Sequence, residues 1–385
     1  QMCIRDSYRP LLATSASLSD GEIALSPEAQ KARLAAIGYR DPAKATQHIA
    51  ALTKGLSRSA AIQRQLLPSL LEWFADGTDP DLGLLAFRRL SDELRSTHWY
   101  LGMLRDSGVA AKRLTRILSS SKYVGEQLEK LPQTVRWLSR KDELVAPSPE
   151  ALLTELRAVS SRRRSESEFI DAIRVTRRRE ITRITLSHMT GRLSPSDVGH
   201  ALTGLADVVL QAALGSAQRT VAEEEQTDDL GVDVAVIALG SFGAGEMGYS
   251  SDVDVQFVVR DAGAGEETAK RGTAVATALQ RILNAPSAGI DMKVNADLRP
   301  EGRSGPLART WESWRTYYRQ HAESWEKQAL LRGRVAVGSE EFARDLESVM
   351  DEARYPSEGL TATRARDIAR MKARIESERL PRGTR

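Results

Sequence analysis

The chain has 385 residues, of which 41% are hydrophobic and 28% are charged, with a formal net charge of +3. This composition is typical of a globular protein, and the length allows two or three packed units. The single cysteine, Cys3, excludes an internal disulfide and indicates a reducing cytoplasm. A pI near 8.9 permits an anionic ligand but does not require nucleic acid.

The sequence shows no membrane or secretion signal. No run of apolar residues approaches membrane-spanning length, and no signal-peptide pattern opens the chain. We therefore expect a cytoplasmic protein with no membrane partner. The chain starts at Gln1, and residues 1–7 share no periodicity with the residues after them, so they are candidates for foreign sequence within an irregular segment, 1–24. We expect the whole chain to be part of a longer protein.

Helical periodicity dominates residues 25–229, which we assign to a helical region. Ser or Asp followed by Pro, a common helix start, predicts that four helices begin at Pro27, Pro42, Pro80 and Pro195. Apolar spacing predicts further helices at 60–75, 109–119, 123–131 and 149–159.

Two basic runs, Arg162–Arg164 and Arg177–Arg179, interrupt this region. We interpret both as solvated surface, because consecutive arginines cannot share one helix face. No aromatic residues are interleaved with them, so nucleic acid is not an expected partner.

After Leu230 the periodicity becomes strand-like, and we assign residues 230–339 to a second domain. The short apolar runs 234–239 and 255–259 predict two buried strands. Asp252 and Asp254 open the second run, and alternate residues of a strand share a face, so their carboxylates should project together. Two adjacent like charges are unfavourable without a cation, and oxygen ligands of this kind suit Mg²⁺.

A Gly-rich turn, beginning at Gly240-Ser241, joins the two predicted strands. Backbone N–H groups and one hydroxyl in such a small turn can approach an anion closely. A phosphate-binding turn followed by the Asp252-x-Asp254 pair has the outline of a nucleotidyl-transfer site.

The rest of the domain is predicted to be mixed. Residues 266–282 read as a helix, and 290–298 alternate as a strand that places Asn295 and Asp297 on one face. A turn-rich loop carrying Arg299 follows. Residues 310–332 read as an aromatic-rich helix containing Lys327 and Arg332, and 340–385 as the start of a further helical region.

Several longer strings resemble a known family. In the second half they are GEMGYSSDVDVQFVV, NADLRPEGRSGPLARTWESWRTYYRQ and WEKQALLRGRVAVG, and residues 39–92 and 117–132 supply two more. Together they resemble the glutamine synthetase adenylyltransferase/deadenylylase family in its actinobacterial form. The Gly240-Ser241 turn, with Asp252 twelve positions after Gly240, is similar to the polymerase-β-like nucleotidyltransferase superfamily. The resemblance covers nearly the whole chain from Tyr8 onward.

The resemblance implies a function and a fold. It implies an α+β chain: a large helical region, a polymerase-β-like nucleotidyltransferase domain with a small mixed sheet, and a truncated C-terminal helical segment. The implied unit moves AMP from ATP to a tyrosine of glutamine synthetase in a Mg²⁺-dependent reaction and so regulates nitrogen metabolism. A PII-type signalling protein is a further implied partner. The unit that removes AMP would lie upstream.

The implied site residues follow from the matched motifs. Asp252, Asp254 and Asp297 are the implied catalytic residues, and Asp252 and Asp254, with Asn295, are the implied metal ligands. The implied nucleotide-binding residues are Gly240, Ser241, Arg299, Lys327 and Arg332. The family usually has an aspartate where this chain has Asn295, so the third ligand is either Asn295 or Asp297.

Two alternatives to this function stay open. One is a different nucleotidyltransferase, acting as a uridylyltransferase or on a small molecule. The other is a non-catalytic regulatory module that only binds glutamine synthetase or a PII-type protein, its site having decayed at Asn295.

Overall fold

The structure is a computed structural model that describes residues 27–55, 58–140, 142–162, 165–286, 292–357, 359 and 361–379. The irregular segment 1–24, Arg163-Arg164 and residues 290–291 lie outside the described residues. The chain divides into two compact units, one of residues up to 146 with 181–193, the other of residues 147–180 with 194–385. The change from helical to strand-like periodicity after Leu230 falls inside the second unit. The domain assignment that was based on this change stays a prediction.

The first unit is helical in its described residues. Its seven helices are α1 Pro27–Ala36, α2 Pro42–Thr53, α3 Arg58–Ala75, α4 Pro80–Leu94, α5 His98–Asp106, α6 Gly108–Ser120 and α7 Lys122–Lys130, followed by 3₁₀ turns at Pro132–Leu138 and Asp142–Leu144. Asp41 and Asp79 accept hydrogen bonds from the first-turn amides of α2 and α4 at 3.0 Å, which stabilises both starts. The predicted starts at Pro27, Pro42 and Pro80 are confirmed.

Three long helices follow: α8 Pro149–Arg162, α9 Glu166–Met189 and α10 Pro195–Glu224. Ser194 caps α10 in a reciprocal capping box with Asp197, as its Ser-Pro start predicted. By length and composition alone α10 could cross a membrane, which the sequence reading overlooked. Two thirds of its apolar window is buried inside the fold, as in the core helix of a globular protein.

A five-stranded mixed sheet is the centre of the second unit in the described residues. Its strands are β1 Val232–Ala238, β2 Val253–Asp261, β3 Val294–Asn295, β4 Ala308–Thr310 and β5 Arg334–Val337. The order is β3-β2-β1-β5, with β1 antiparallel to both of its neighbours. The start of β2 pairs in parallel with β3 and its later half pairs in parallel with β4. Burial of β1 and β2 on both faces explains their continuous apolar sequences.

Helices cover both faces of this sheet. The helix α12, Thr268–Asn284, packs against β2 and α10. The helices α13 Trp311–Gln320, α14 Ser324–Leu330 and α15 Glu340–Arg354 build an aromatic core with residues such as Trp314, Tyr318 and Phe342. The helix α16, Ala362–Arg379, follows. A small mixed sheet with segregated helices confirms the α+β class.

Several boundaries differ from the predictions. The strand predicted at 290–298 is described only as Val294–Asn295, and the helix predicted at 310–332 is two helices, α13 and α14. The amide of Ala322 bonds to the carbonyl of Tyr317 at 2.8 Å and closes α13, and Glu323 then caps α14. Helix α5 and strands β4 and β5 were not predicted; the two strands are too short to show a period.

Candidate active site

The turn between β1 and β2 brings backbone close to a carboxylate. β1 ends at Ala238, and the Leu239 amide donates to the Asp254 carbonyl at 2.9 Å, which carries the pairing one residue further. The short helical turn α11, Gly240–Gly243, begins with Gly240 at φ 58°. A Cβ atom on Gly240 would lie 2.6 Å from Oδ2 of Asp254. Only glycine meets both demands at this position.

Asp252 immediately precedes β2 and Asp254 is its second residue, and alternation along the extended chain gives both side chains the same face. Asp252 is exposed, whereas Asp254 is partly buried beside the Gly240 turn. Burial raises the pKa of Asp254, and the negative charges of Asp252 and Asp297 raise that pKa further. Three carboxylates therefore lie close enough for their charges to act on one another.

Strand β3 places Asn295 beside this pair. In the parallel register Asp254 is opposite Asn295 and Val253 is opposite Val294. The side chain of Asn284, the last residue of α12, holds the outer edge of β3: its Oδ1 accepts from the Val294 amide at 2.7 Å and its Nδ2 donates to the Val294 carbonyl at 3.2 Å. A side-chain amide thus takes the place of a further strand and fixes the position of Asn295.

Asp297 is not on the strand face that the sequence reading gave it. The Asp297 amide donates to Oδ1 of Asn295 at 2.9 Å, so the chain turns immediately after β3. Asn favours such turns because its side chain can bond the backbone two residues on. The Asp297 carboxylate accepts from Nε and Nη2 of Arg303 at 2.9 and 2.6 Å, and these bonds hold its pKa below the usual range.

Several of these polar side chains line one surface groove of about 800 Å³. Its lining includes Asp252, Asn295, Asp297, Arg299 and Arg303. The structure therefore brings together four of the predicted site residues, and it adds Arg303. Asp254, Gly240 and Ser241 lie next to the groove through the strand pairing described above.

Of the three predicted nucleotide-binding cations, Arg299 lines this groove, and Lys327 and Arg332 do not. Arg299 donates to the carbonyl oxygens of Ala296, Arg303 and Gly305 at 2.9 to 3.1 Å, so it braces its own loop. Lys327 lines a separate groove. Arg332 is half exposed and forms an ion pair with Glu246. Their nucleotide-binding roles stay predictions.

The oxygen atoms at this site match the ligands of Mg²⁺ in part. Among the described residues, no group of three His, Cys, Asp or Glu side chains is arranged to hold a metal ion. Asp252 and Asp254 nevertheless supply two carboxylates on one face, and burial, followed by the negative charges of Asp252 and Asp297, raises the pKa of Asp254. Carboxylate and amide oxygens are ligands that Mg²⁺ accepts, together with water and substrate phosphates. Asp252, Asp254 and Asn295 therefore fit the ion as a partial ligand set.

Comparison with known proteins agrees with this geometry. Residues 111–349 match the family described as glutamate-ammonia ligase adenylyltransferase. This chain belongs to that family. Two similar proteins, each named bifunctional glutamine synthetase adenylyltransferase/adenylyl-removing enzyme, come from Leifsonia xyli and Streptomyces coelicolor. Each is 43% identical over 98% of this chain.

The matched family members are much longer than this chain. It spans 37% of the Leifsonia xyli protein and 39% of the Streptomyces coelicolor protein. A relative of the same name from Mycolicibacterium smegmatis, also 43% identical, is covered over 38% of its length. Membership of the adenylyltransferase family is therefore shown for this chain. The activities of the full-length relatives belong to those longer proteins.

The sequence reading missed three functional features of this family member. Arg303 holds Asp297, Asn284 holds β3, and Gln256 bonds the backbone beside Asp297. A signal existed for Gln256, which interrupts an otherwise apolar strand. Nothing in the local sequence marks Asn284, because its partner, Val294, lies ten positions away.

Proposed function

We propose that this chain is a polymerase-β-like nucleotidyltransferase unit that moves AMP from ATP to a tyrosine of glutamine synthetase. The observation that supports this best is the contact of the Gly240 turn with Asp254, where a phosphate-binding backbone and a carboxylate pair meet. The proposal extends to a cytoplasmic location, to glutamine synthetase as protein substrate and to a PII-type protein as a regulatory partner.

The proposed reaction replaces one phosphorus–oxygen bond by another. The tyrosine oxygen bonds to the α-phosphorus of ATP while the bond to the pyrophosphate oxygen breaks, and the tyrosine proton passes to water. When bound at Asp252, Asp254 and Asn295, Mg²⁺ supplies positive charge that offsets the charge of the phosphates.

The chain's own groups bind and orient the reactants. The Gly240 amide and the Ser241 hydroxyl donate to the β- or γ-phosphate, and the short distance to Asp254 keeps these phosphates beside the carboxylates. Asp297, kept ionised by Arg303, accepts a hydrogen bond from the tyrosine hydroxyl and orients it. Lys327, on α14, and Arg332, in the segment after this helix, supply further positive charge to the triphosphate, and Arg332 exchanges its ion pair with Glu246 for the phosphate.

The test is transfer of label from [α-³²P]ATP with Mg²⁺ to purified glutamine synthetase. We expect Asp252→Asn to abolish transfer, since it removes one of two carboxylates on the site face. The matched control is Asp261→Asn at the far end of β2, where asparagine can still accept from the amides of Gly263 and Gly265. Normal transfer by Asp252→Asn would show that the site is assigned wrongly.

Other nucleotide-transfer activities are separated by the same assay. Labelled UTP and a panel of small-molecule acceptors distinguish a uridylyltransferase or a small-molecule enzyme. Incorporation from UTP alone, or label on a small acceptor in place of glutamine synthetase, would replace the proposed substrate pair.

Asn295 favours a second candidate, a module that binds glutamine synthetase or PII without catalysis. The described residues supply no third acidic ligand at the position opposite Asp254. Binding of Mg-ATP without transfer, with transfer appearing in Asn295→Asp, would support the module. Transfer by the unmodified chain would exclude it.

A further inference from the structure

A buried glutamine interrupts the apolar sequence of β2 two positions after Asp254. Gln256 is 1% exposed and shares a strand face with Asp254. A buried side-chain amide costs free energy unless both of its ends are hydrogen-bonded. The groups that bond Gln256 therefore indicate why a polar residue lies in this strand.

Three groups bond the Gln256 amide. The indole Nε1 of Trp314 donates to its Oε1 at 2.9 Å, and its Nε2 donates to the Leu298 carbonyl and to the Tyr318 hydroxyl oxygen, both at 2.8 Å. An indole N–H can only donate and a carbonyl can only accept. These two single-role partners fix the orientation of the amide.

The carbonyl belongs to Leu298, the residue that directly follows Asp297, and lies in the Leu298–Arg299 peptide. Backbone pairing between β2 and β3 is described only as far as Asn295, so it does not reach this peptide. Arg299 and Arg303 bond atoms within the loop itself, which stiffens the loop without tying it to β2. Gln256 bonds β2 to the start of the loop, whereas the end of the loop leads into β4, which pairs with β2.

The middle of the loop is held by a different element. The Glu301 amide donates to Oε1 of Glu326 at 3.2 Å, and Glu326 is a buried residue of α14. The loop from Asp297 to Gly305 is therefore bonded to β2 near its start and to α14 at its middle.

We infer that Gln256 is a positioning residue that sets the distance between Asp297 and the Asp252–Asp254 pair. The inference rests on the proposed function, in which Asp297 orients the acceptor hydroxyl. The negative charges of Asp254 and Asp297 repel each other, and Arg303 offsets part of this repulsion, so without the bond to β2 the start of the loop is free to move away from the pair. The bond to the Leu298 carbonyl opposes this movement.

The first readout is hydrogen exchange of the full chain without metal or nucleotide. Gln256→Met removes the tie and should speed exchange of the loop amides, such as those of Arg299 and Gly302, by about tenfold or more. Tyr318→Phe is the matched control, because it removes a partner of the same buried glutamine and leaves the Leu298 bond in place. We expect no such increase for Tyr318→Phe.

A triple variant keeps the test informative if Gln256→Met is too unstable. Gln256→Met combined with Trp314→Phe and Tyr318→Phe replaces the polar side chains of the network by apolar ones, so fewer buried groups are left without a partner. The triple variant should fold, show the same rapid loop exchange and show the same loss of AMP transfer as Gln256→Met.

The second readout is AMP transfer to glutamine synthetase. Transfer should fall by about 100-fold in Gln256→Met, as a displacement of about 1 Å can cause, while Tyr318→Phe stays near the unmodified rate. Equal loop exchange in the two variants would overturn the tie, and a loosened loop with normal transfer would overturn the positioning role. If the unmodified chain transfers no label, the proposed function fails, and exchange alone decides whether the tie exists.

Discussion

Substituting Gly240 by alanine tests the contact on which the proposed site depends. Gly240 has φ 58°, a conformation that costs an alanine about 1–2 kcal/mol. The added methyl group would also lie 2.6 Å from Oδ2 of Asp254. The variant therefore combines backbone strain with a steric clash against one carboxylate.

The two effects can be separated in magnitude. An ordinary contact begins at 3.4 Å, so the Asp254 oxygen must move by about 0.8 Å, the difference between 3.4 and 2.6 Å. A displacement near 1 Å at a reacting centre can lower a rate by about 100-fold. We therefore expect Gly240→Ala to lose about 1–2 kcal/mol of unfolding free energy from the strain and about 100-fold in AMP transfer from the displacement.

Gly245→Ala is the matched control from the same loop. Gly245 has φ 75°, so alanine there meets a similar strain, but its Cβ would lie an ordinary 3.5 Å from Cδ2 of His200. Urea unfolding should show similar losses of stability for the two variants, and labelled AMP transfer should fall only in Gly240→Ala. Equal transfer rates would refute the reasoning, since the clash with Asp254 would then have no consequence.

Two further predictions concern stability. Arg334 donates to both carboxylate oxygens of Asp207 at 2.8 and 2.9 Å, and burial raises the pKa of Asp207. Arg334→Met should lower the unfolding free energy by about 2 kcal/mol near pH 8. Because the folded chain then holds the Asp207 proton more tightly than the unfolded chain, the loss should shrink toward pH 5, and urea unfolding at about pH 8 and pH 5 checks this sign. Asn284→Ala, which frees the Val294 backbone, should cost about 1 kcal/mol by urea unfolding, and Asn284→Asp, which keeps the acceptor, about half as much; equal losses would show that the acceptor half contributes nothing.

The sequence by itself was sufficient for the elements that have a local signal. The Pro starts of α2, α4 and α10 follow from capping residues that act within one helical turn. The apolar runs of β1 and β2 follow from burial on both faces of the sheet. The positions of Asp252 and Asp254 on one face follow from strand alternation alone.

Hydrophobic periodicity predicted the wrong end of a strand where a side-chain hydrogen bond turns the chain. The strand predicted through residue 298 is described only to Asn295, because the Asn295 side chain bonds the Asp297 amide and turns the chain. Asp297 was therefore placed near the site for the wrong reason. Its position depends on Arg303, which lies six positions further on.

Only the tertiary structure decided how the Gly240-Ser241 turn lies relative to the carboxylate pair. Composition and spacing supplied Gly240 and the Asp pair, whereas the antiparallel pairing of β1 with β2 placed the Gly240 backbone against Asp254. Likewise, sequence showed that Gln256 is polar, but its bond to Leu298 joins residues 42 positions apart. Contacts of such sequence separation are fixed by packing, which no local pattern of residues specifies.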